Sequence, residues 1–127
     1  YPLPALKLAG TDNWVLSMDY NLLVNQNDGE TKADPATCSR IEQQTYDTYM
    51  DALDAVNSGN RAPLVVGSHL NDWLCSGYIT AITRFMTDAH AKYPEVRLVS
   101  FADLTDWLDA MPDEVVRQLQ DRAAERY

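Results

Sequence analysis

A short apolar run fenced by backbone breakers constrains this chain more than any other feature. Leu64-Val-Val66 is entered through Pro63 and left through Gly67, and the residues that follow include Ser68, His69, Asn71, Asp72 and Trp73. A run this short, apolar throughout and rich in valine, reads as a strand buried on both faces that empties into a polar loop and then a helix. In α/β folds the carboxyl end of such a strand is where ligands and reacting groups gather. One of the chain's two histidines falls there.

The flanking pattern alternates in the same sense. Tyr1 to Gly10 carries two prolines and reads as an extended leading segment. Trp14-Val-Leu-Ser-Met18 reads as a first strand ending at Asp19-Tyr-Asn21, and Asn25 to Pro35, with its Asn27-Asp-Gly29 turn signal, as a surface loop. Ser39 with Glu42 three residues later matches a capping box. Ile41, Thr45, Tyr49, Ala52, Leu53 and Val56 then share one helical face, closed by Ser58-Gly-Asn60. After the central run, Ser76 is placed to cap a helix whose apolar stripe is Ile79, Ile82, Phe85, Met86 and Ala89, and which Pro94 ends near Tyr93. Val96-Arg-Leu-Val99 reads as a third strand. Ser100 with Asp103 caps a further helix, Phe101, Leu104, Leu108 and Met111 run down its side, and Pro112 opens a last helix with Val115, Val116 and Leu119 apolar; Glu125-Arg-Tyr127 should fray. Strands alternating with helices mean parallel pairing through right-handed crossovers. The expected class is α/β: three parallel βα units in a single unit spanning residues 1–127. Three parallel strands leave two long edges, so the first strand's edge should be covered by another chain or by Tyr1 to Gly10.

Composition narrows the partners. With 19 acidic against 10 basic side chains and a net charge of −9, nucleic acid and anionic membrane are poor partners. No apolar run reaches the length of a membrane span, and the first residues do not read as a signal peptide. Cys38 and Cys75 admit two readings, free buried thiols or one disulfide; the even count and an acidic composition compatible with secretion favour a Cys38–Cys75 bridge. Zinc is disfavoured, because two Cys and two His reach four ligands only by using all of them, without a paired CxxC or HxxxH.

The chemistry follows from the strand ends. If the first and central strands are neighbours, Asp19 and His69 face one another across the mouth. A carboxylate beside an imidazole fixes its tautomer and suits it to general acid or base work. Ser68 lies outside any nucleophile-elbow pattern. Trp73 offers an indole to the apolar face of a sugar ring, or else a lid over the core. Trp107 reads as packing, and His90, alone on its helix, as structural or solvent-facing. Gly59, Gly67 and Gly77 are isolated, which argues against a phosphate-cradling loop.

Three separated segments then carry a resemblance. Val15-Leu-Ser-Met-Asp-Tyr-Asn21, Asn60-Arg-Ala-Pro-Leu-Val-Val-Gly-Ser-His-Leu-Asn-Asp-Trp73 and Pro94-Glu-Val-Arg-Leu-Val-Ser-Phe-Ala-Asp-Leu-Thr-Asp-Trp-Leu108 resemble, in order, the C-terminal part of bacterial polysaccharide deacetylases, the NodB-homology domain of carbohydrate esterase family 4. The resemblance implies the C-terminal portion of a distorted (β/α) barrel. It implies metal-dependent hydrolysis of N- or O-acetyl groups on an acetylated polysaccharide, in a secreted or cell-envelope protein. It places His69 as the catalytic acid and Asp19 as an orienting or substrate-contacting partner, with Asn21, Asn71, Asp72 and Trp73 expected at the substrate. The family's paired aspartates, its H-x-x-x-H pair and its Arg-Pro-Pro-Tyr-like element have no counterpart here, so no metal site is assigned to these residues. A divalent, zinc-like metal would belong to an N-terminal half of the same protein or to another chain. The alternative is a non-catalytic carbohydrate-binding or structural module derived from that fold.

Overall fold

The structure, a computed structural model, describes residues 4–123. The fraying expected at Glu125 to Tyr127, and the first three residues of the leading segment, lie outside the described residues. The elements in order are β1 (Ala5–Lys7), β2 (Trp14–Leu16), α1 (Asp19–Asn27), α2 (Pro35–Ser58), α3 (Trp73–Lys92), α4 (Phe101–Asp109) and α5 (Asp113–Ala123). The architecture is mostly helical, with a two-stranded antiparallel sheet. This overturns the expected α/β class with three parallel βα units of a barrel.

Two of the three expected strands do not form. Leu64 to Val66 joins no ladder, and Gly67 just past it makes an isolated parallel bridge with Met18. Val96 to Val99 is irregular and largely exposed, and the Val96 N–H turns back to the Tyr93 carbonyl. Valine-rich sequence becomes strand only where a neighbour takes up its backbone N–H and C=O groups, and that neighbour is missing for most of both segments. The first expected strand does form, as β2, and its edge is covered by the leading segment. Ala5, Leu6 and Lys7 of β1 pair antiparallel with Leu16, Val15 and Trp14. Alternation then buries Leu6 and Val15 and leaves Trp14 and Leu16 outside.

The core lies between α2 and α3 and takes in Leu6, Leu8, Val15, Leu22 and Leu23 from the first part of the chain. On α2 the buried face is Cys38, Ile41, Thr45, Thr48, Tyr49, Ala52, Leu53 and Val56, which contains the whole stripe read from sequence. Asp34 caps this helix. Its carboxylate accepts from the Thr37 N–H at 2.9 Å and from the Thr37 hydroxyl at 2.8 Å, with Pro35 in the first turn. The helix therefore starts before Ser39, because the Asp-Pro pair offers a stronger start than the expected capping box. On α3 the buried face is Leu74, Gly77, Tyr78, Ala81, Phe85 and Ala89, shifted from the expected stripe; Ile79 and Ile82 are half-buried and Met86 is exposed. The Tyr49 and Phe85 rings meet at 5.5 Å.

The two helices run in the same direction. Cys38 and Cys75 join their first turns. Tyr46 donates to Asp88 halfway along, and Lys92 and Tyr93 reach Asp54 near the far ends. Parallel helices require the connection between them to travel back along their length, and residues 59–72 do so. This return brings Gly67 beside Met18 and aims the loop after it at the start of α1.

Beyond α3 the chain is more exposed. Ser100 and Asp103 form the expected capping box at α4. No residue of α4 is buried, and Trp107 is 47% exposed, so the packing role read for it does not hold. Val115, Val116 and Leu119 of α5 are half-buried. Among the described residues no helix is long and apolar enough to cross a membrane.

Candidate functional site

The isolated bridge between Met18 and Gly67 builds the site. The Gly67 N–H donates to the Ser17 carbonyl at 2.7 Å, and the Asp19 N–H donates to the Gly67 carbonyl at 3.3 Å. Ser17, fully buried, ties the returning segment down further by donating its hydroxyl to the Val65 carbonyl at 2.6 Å. Met18 packs so closely on Gly67 that a Cβ there would fall 2.7 Å from its methyl carbon and 2.9 Å from its sulfur. Two chain segments 50 residues apart in sequence are thereby held in register. Asp19 and His69, each just past the bridge, come together.

Asp19 is 1% exposed. Its carboxylate is surrounded by donors. Oδ1 accepts from the Tyr20 N–H at 2.8 Å and lies 2.6 Å from His69 Nδ1. Oδ2 accepts from the His69 N–H at 2.7 Å and from the Ser68 hydroxyl at 3.2 Å. A buried carboxylate is tolerable only when saturated with hydrogen bonds in this way. A carboxylate can only accept, so this contact suits the tautomer with its proton on Nδ1. The ring's other nitrogen, Nε2, is then the one free to exchange protons with a ligand. The imidazole is 50% exposed, so it is neither packed away nor turned from Asp19.

Aromatic side chains stand beside the imidazole. The Trp73 ring lies 5.7 Å from His69, and the Tyr20 ring 6.3 Å from Trp73 in an edge-on arrangement. Tyr20 is exposed and Trp73 half-buried. Leu70, between them in sequence, is 67% exposed in a left-handed conformation. Beneath the site two phenols are held neutral. Burial pushes Tyr49 well above the ordinary phenol range and the charge of Asp19 adds to it; for Tyr78 burial acts first, then Tyr49 and Asp19.

Comparison of the chain with protein-family models, with curated proteins and with solved structures gives a single result. None matches. The expected resemblance to polysaccharide deacetylases is carried by the three sequence segments alone.

Of the residues expected at a site, Asp19, His69 and Trp73 are brought together. Asn71 and Asp72 are exposed on the loop between His69 and Trp73, and Asn21 is half-buried in the first turn of α1. The hydrogen bonds around the dyad run to Ser68 and Tyr20 instead. Sequence reasoning missed both of those as site residues. Their adjacency to His69 and Asp19 was the available signal, since a neighbour on a tight turn is the nearest donor to a buried carboxylate. Cys38 and Cys75 form the favoured disulfide. His90 is exposed at the far end of α3.

These residues do not fit a metal ion. Both Asp19 oxygens are already occupied by protein donors, His69 Nδ1 is turned to Asp19, and His90 lies at the other end of its helix. Among the described residues no group of three metal-ligating side chains converges.

Proposed function

We propose that this chain is the C-terminal region of a polysaccharide deacetylase-like hydrolase and supplies its acid-base dyad. His69, protonated on Nε2, gives that proton to the leaving nitrogen or oxygen as the acetyl bond breaks, while Asp19 holds the ring in place through Nδ1. The single observation that carries the reading is the contact between the buried Asp19 carboxylate and Nδ1 of the half-exposed His69 ring, 2.6 Å long. Trp73 and Tyr20 supply apolar area with a polar edge, which suits the C–H face of a sugar ring. The order of the three resembling segments adds independent support. A divalent metal, if the complete enzyme uses one, is held by an N-terminal half of the same protein or by another chain. A disulfide and an acidic surface suit a secreted or cell-envelope setting.

The test is acetate release from an acetylated polysaccharide by the full protein that carries this chain. His69→Ala should lower turnover by roughly 10²–10⁴, the usual weight of a general acid. Turnover equal to wild type refutes the role. The aromatic pair alone would serve a non-catalytic carbohydrate-binding module. That second reading gains if glycan binding is lost in Trp73→Ala while no acetate release is found in the wild-type protein.

A further inference from the structure

The loop that carries His69 and Trp73 ends in an unusual turn. Leu74, Cys75 and Ser76 have φ of 52°, 60° and 59°, three successive left-handed residues, none a glycine. L-residues visit this region singly and at a cost, so a run of three persists only where the surroundings over-determine it. Three things do so here. Leu74 is fully buried and its N–H donates to the Thr31 carbonyl at 2.8 Å. The Ser76 N–H donates to the Asp72 carbonyl at 3.0 Å. Cys75, in the middle, is bonded to Cys38 in the first turns of α2. Trp73 immediately precedes this turn and stands against His69.

We propose that the Cys38–Cys75 disulfide is a redox-controlled catch on the site: closed, it holds the left-handed turn that keeps Trp73 against His69, and opened, it lets the turn join α3 and withdraw Trp73. As regulation of a glycan-acting site, this rests on the function proposed above; as geometry, it stands without a glycan. Cys75 is exposed and Cys38 buried, so the attackable sulfur is Cys75. A thiolate of a small dithiol attacks the Cys75 sulfur, the S–S bond breaks, and Cys38 leaves as a thiolate that takes up a proton. The reductant's second thiolate then displaces Cys75, which takes up a proton in turn. The products are two protein thiols and one oxidised dithiol. The Ala33 carbonyl lies 3.6 Å from the Cys38 sulfur and can accept the new S–H. Once released, residues 74–76 gain by turning right-handed, since that adds a turn of regular helix to the start of α3 and carries Trp73 round with it.

The experiment compares the oxidised chain, the chain reduced with dithiothreitol, and Cys38→Ala/Cys75→Ala by proton NMR. Cross-peaks between the His69 and Trp73 rings report the site, and those between Tyr49 and Phe85 report the helix pair. The expected result is a loss of at least several-fold in the His69–Trp73 signal on reduction and in the double variant, with Tyr49–Phe85 unchanged. Adding Ser76→Gly to the double variant should restore part of the lost signal, because glycine enters the left-handed region without penalty. A His69–Trp73 signal that survives reduction overturns the proposal. So does joint loss of both signals, which would make the bond a staple for the whole fold, and so does a Ser76→Gly variant with no recovery. Because no glycan is involved, failure here is distinguishable from failure of acetate release.

Discussion

Asp19 and His69 divide their work unequally, and mutation should separate the shares. Replacing His69 with alanine removes one of the contacts at the Asp19 carboxylate and keeps the backbone N–H of position 69, the Tyr20 N–H and the Ser68 hydroxyl. The His69→Ala protein used for the turnover test should therefore stay folded, with a small change in Tm, so that its loss of activity reports chemistry and not unfolding. This division was partly legible in the sequence. Asp19 and His69 were found from their positions past apolar runs, and Trp73 from its place in the same loop. Tyr20 and Ser68 were missed because nothing in periodicity distinguishes a donor that caps a buried carboxylate from an ordinary loop residue.

The site depends on one return strand's worth of chain that never becomes a strand. Residues 63–67 are held by the Met18–Gly67 bridge and by the Ser17 hydroxyl on the Val65 carbonyl. Ser17→Ala leaves that carbonyl without its donor in a buried setting, which should cost about 1–3 kcal/mol. It should also loosen the register that sets His69 on Asp19. Chemical denaturation would measure the first effect and the His69 ring signals the second; a variant as stable as wild type, with unchanged His69 signals, would count against this account of how the site is positioned. The same elements show where sequence reasoning failed. The apolar run Leu64 to Val66 and the run Val96 to Val99 have strand composition, but composition does not state whether a neighbouring strand exists. What was correctly read is the relation the expected parallel pairing implied: the ends of the first and central runs lie side by side, through a single bridge and not a sheet. Helix starts were legible where a capping box stood alone, as at Ser100, and misread where Asp34-Pro35 outcompeted Ser39. The α3 stripe was displaced because its small and aromatic members, Gly77, Tyr78 and Ala81, carry a weaker apolar signal than the isoleucines beside them.

Over the whole molecule, the two-helix core and the acidic surface set how stability should vary with pH. Asp34 is held below the usual carboxylate range by the Thr37 N–H and hydroxyl, and Asp103 by the Ser100 hydroxyl and N–H. At Asp54, burial works against ionisation, but the bonds from Lys92 and Tyr93 outweigh it and the carboxyl is again lowered. Groups lowered on folding contribute stability that is present above the unfolded value, near pH 4, and is lost as pH falls through the folded values. Tyr49 and Tyr78 act in the opposite sense. Burial raises both phenols, so their contribution is complete below about pH 10 and is lost as pH rises beyond it. Thermal unfolding followed against pH should give a plateau between about pH 5 and pH 9. It should fall away in acid, and again in alkali as the phenols ionise. Replacing Tyr49 and Tyr78 with phenylalanine should weaken the alkaline fall; an alkaline limb unchanged in that variant would show that the phenols do not set it.

The most direct test of the dyad is the nitrogen-15 NMR spectrum of its imidazole, with the exposed His90 as internal reference. In the neutral ring of His69 the account predicts a proton on Nδ1, coupled across to Asp19, and a bare Nε2, with this preference lost in Asp19→Ala. A neutral His69 ring whose spectrum matches that of His90, or whose single proton rests on Nε2, would contradict it.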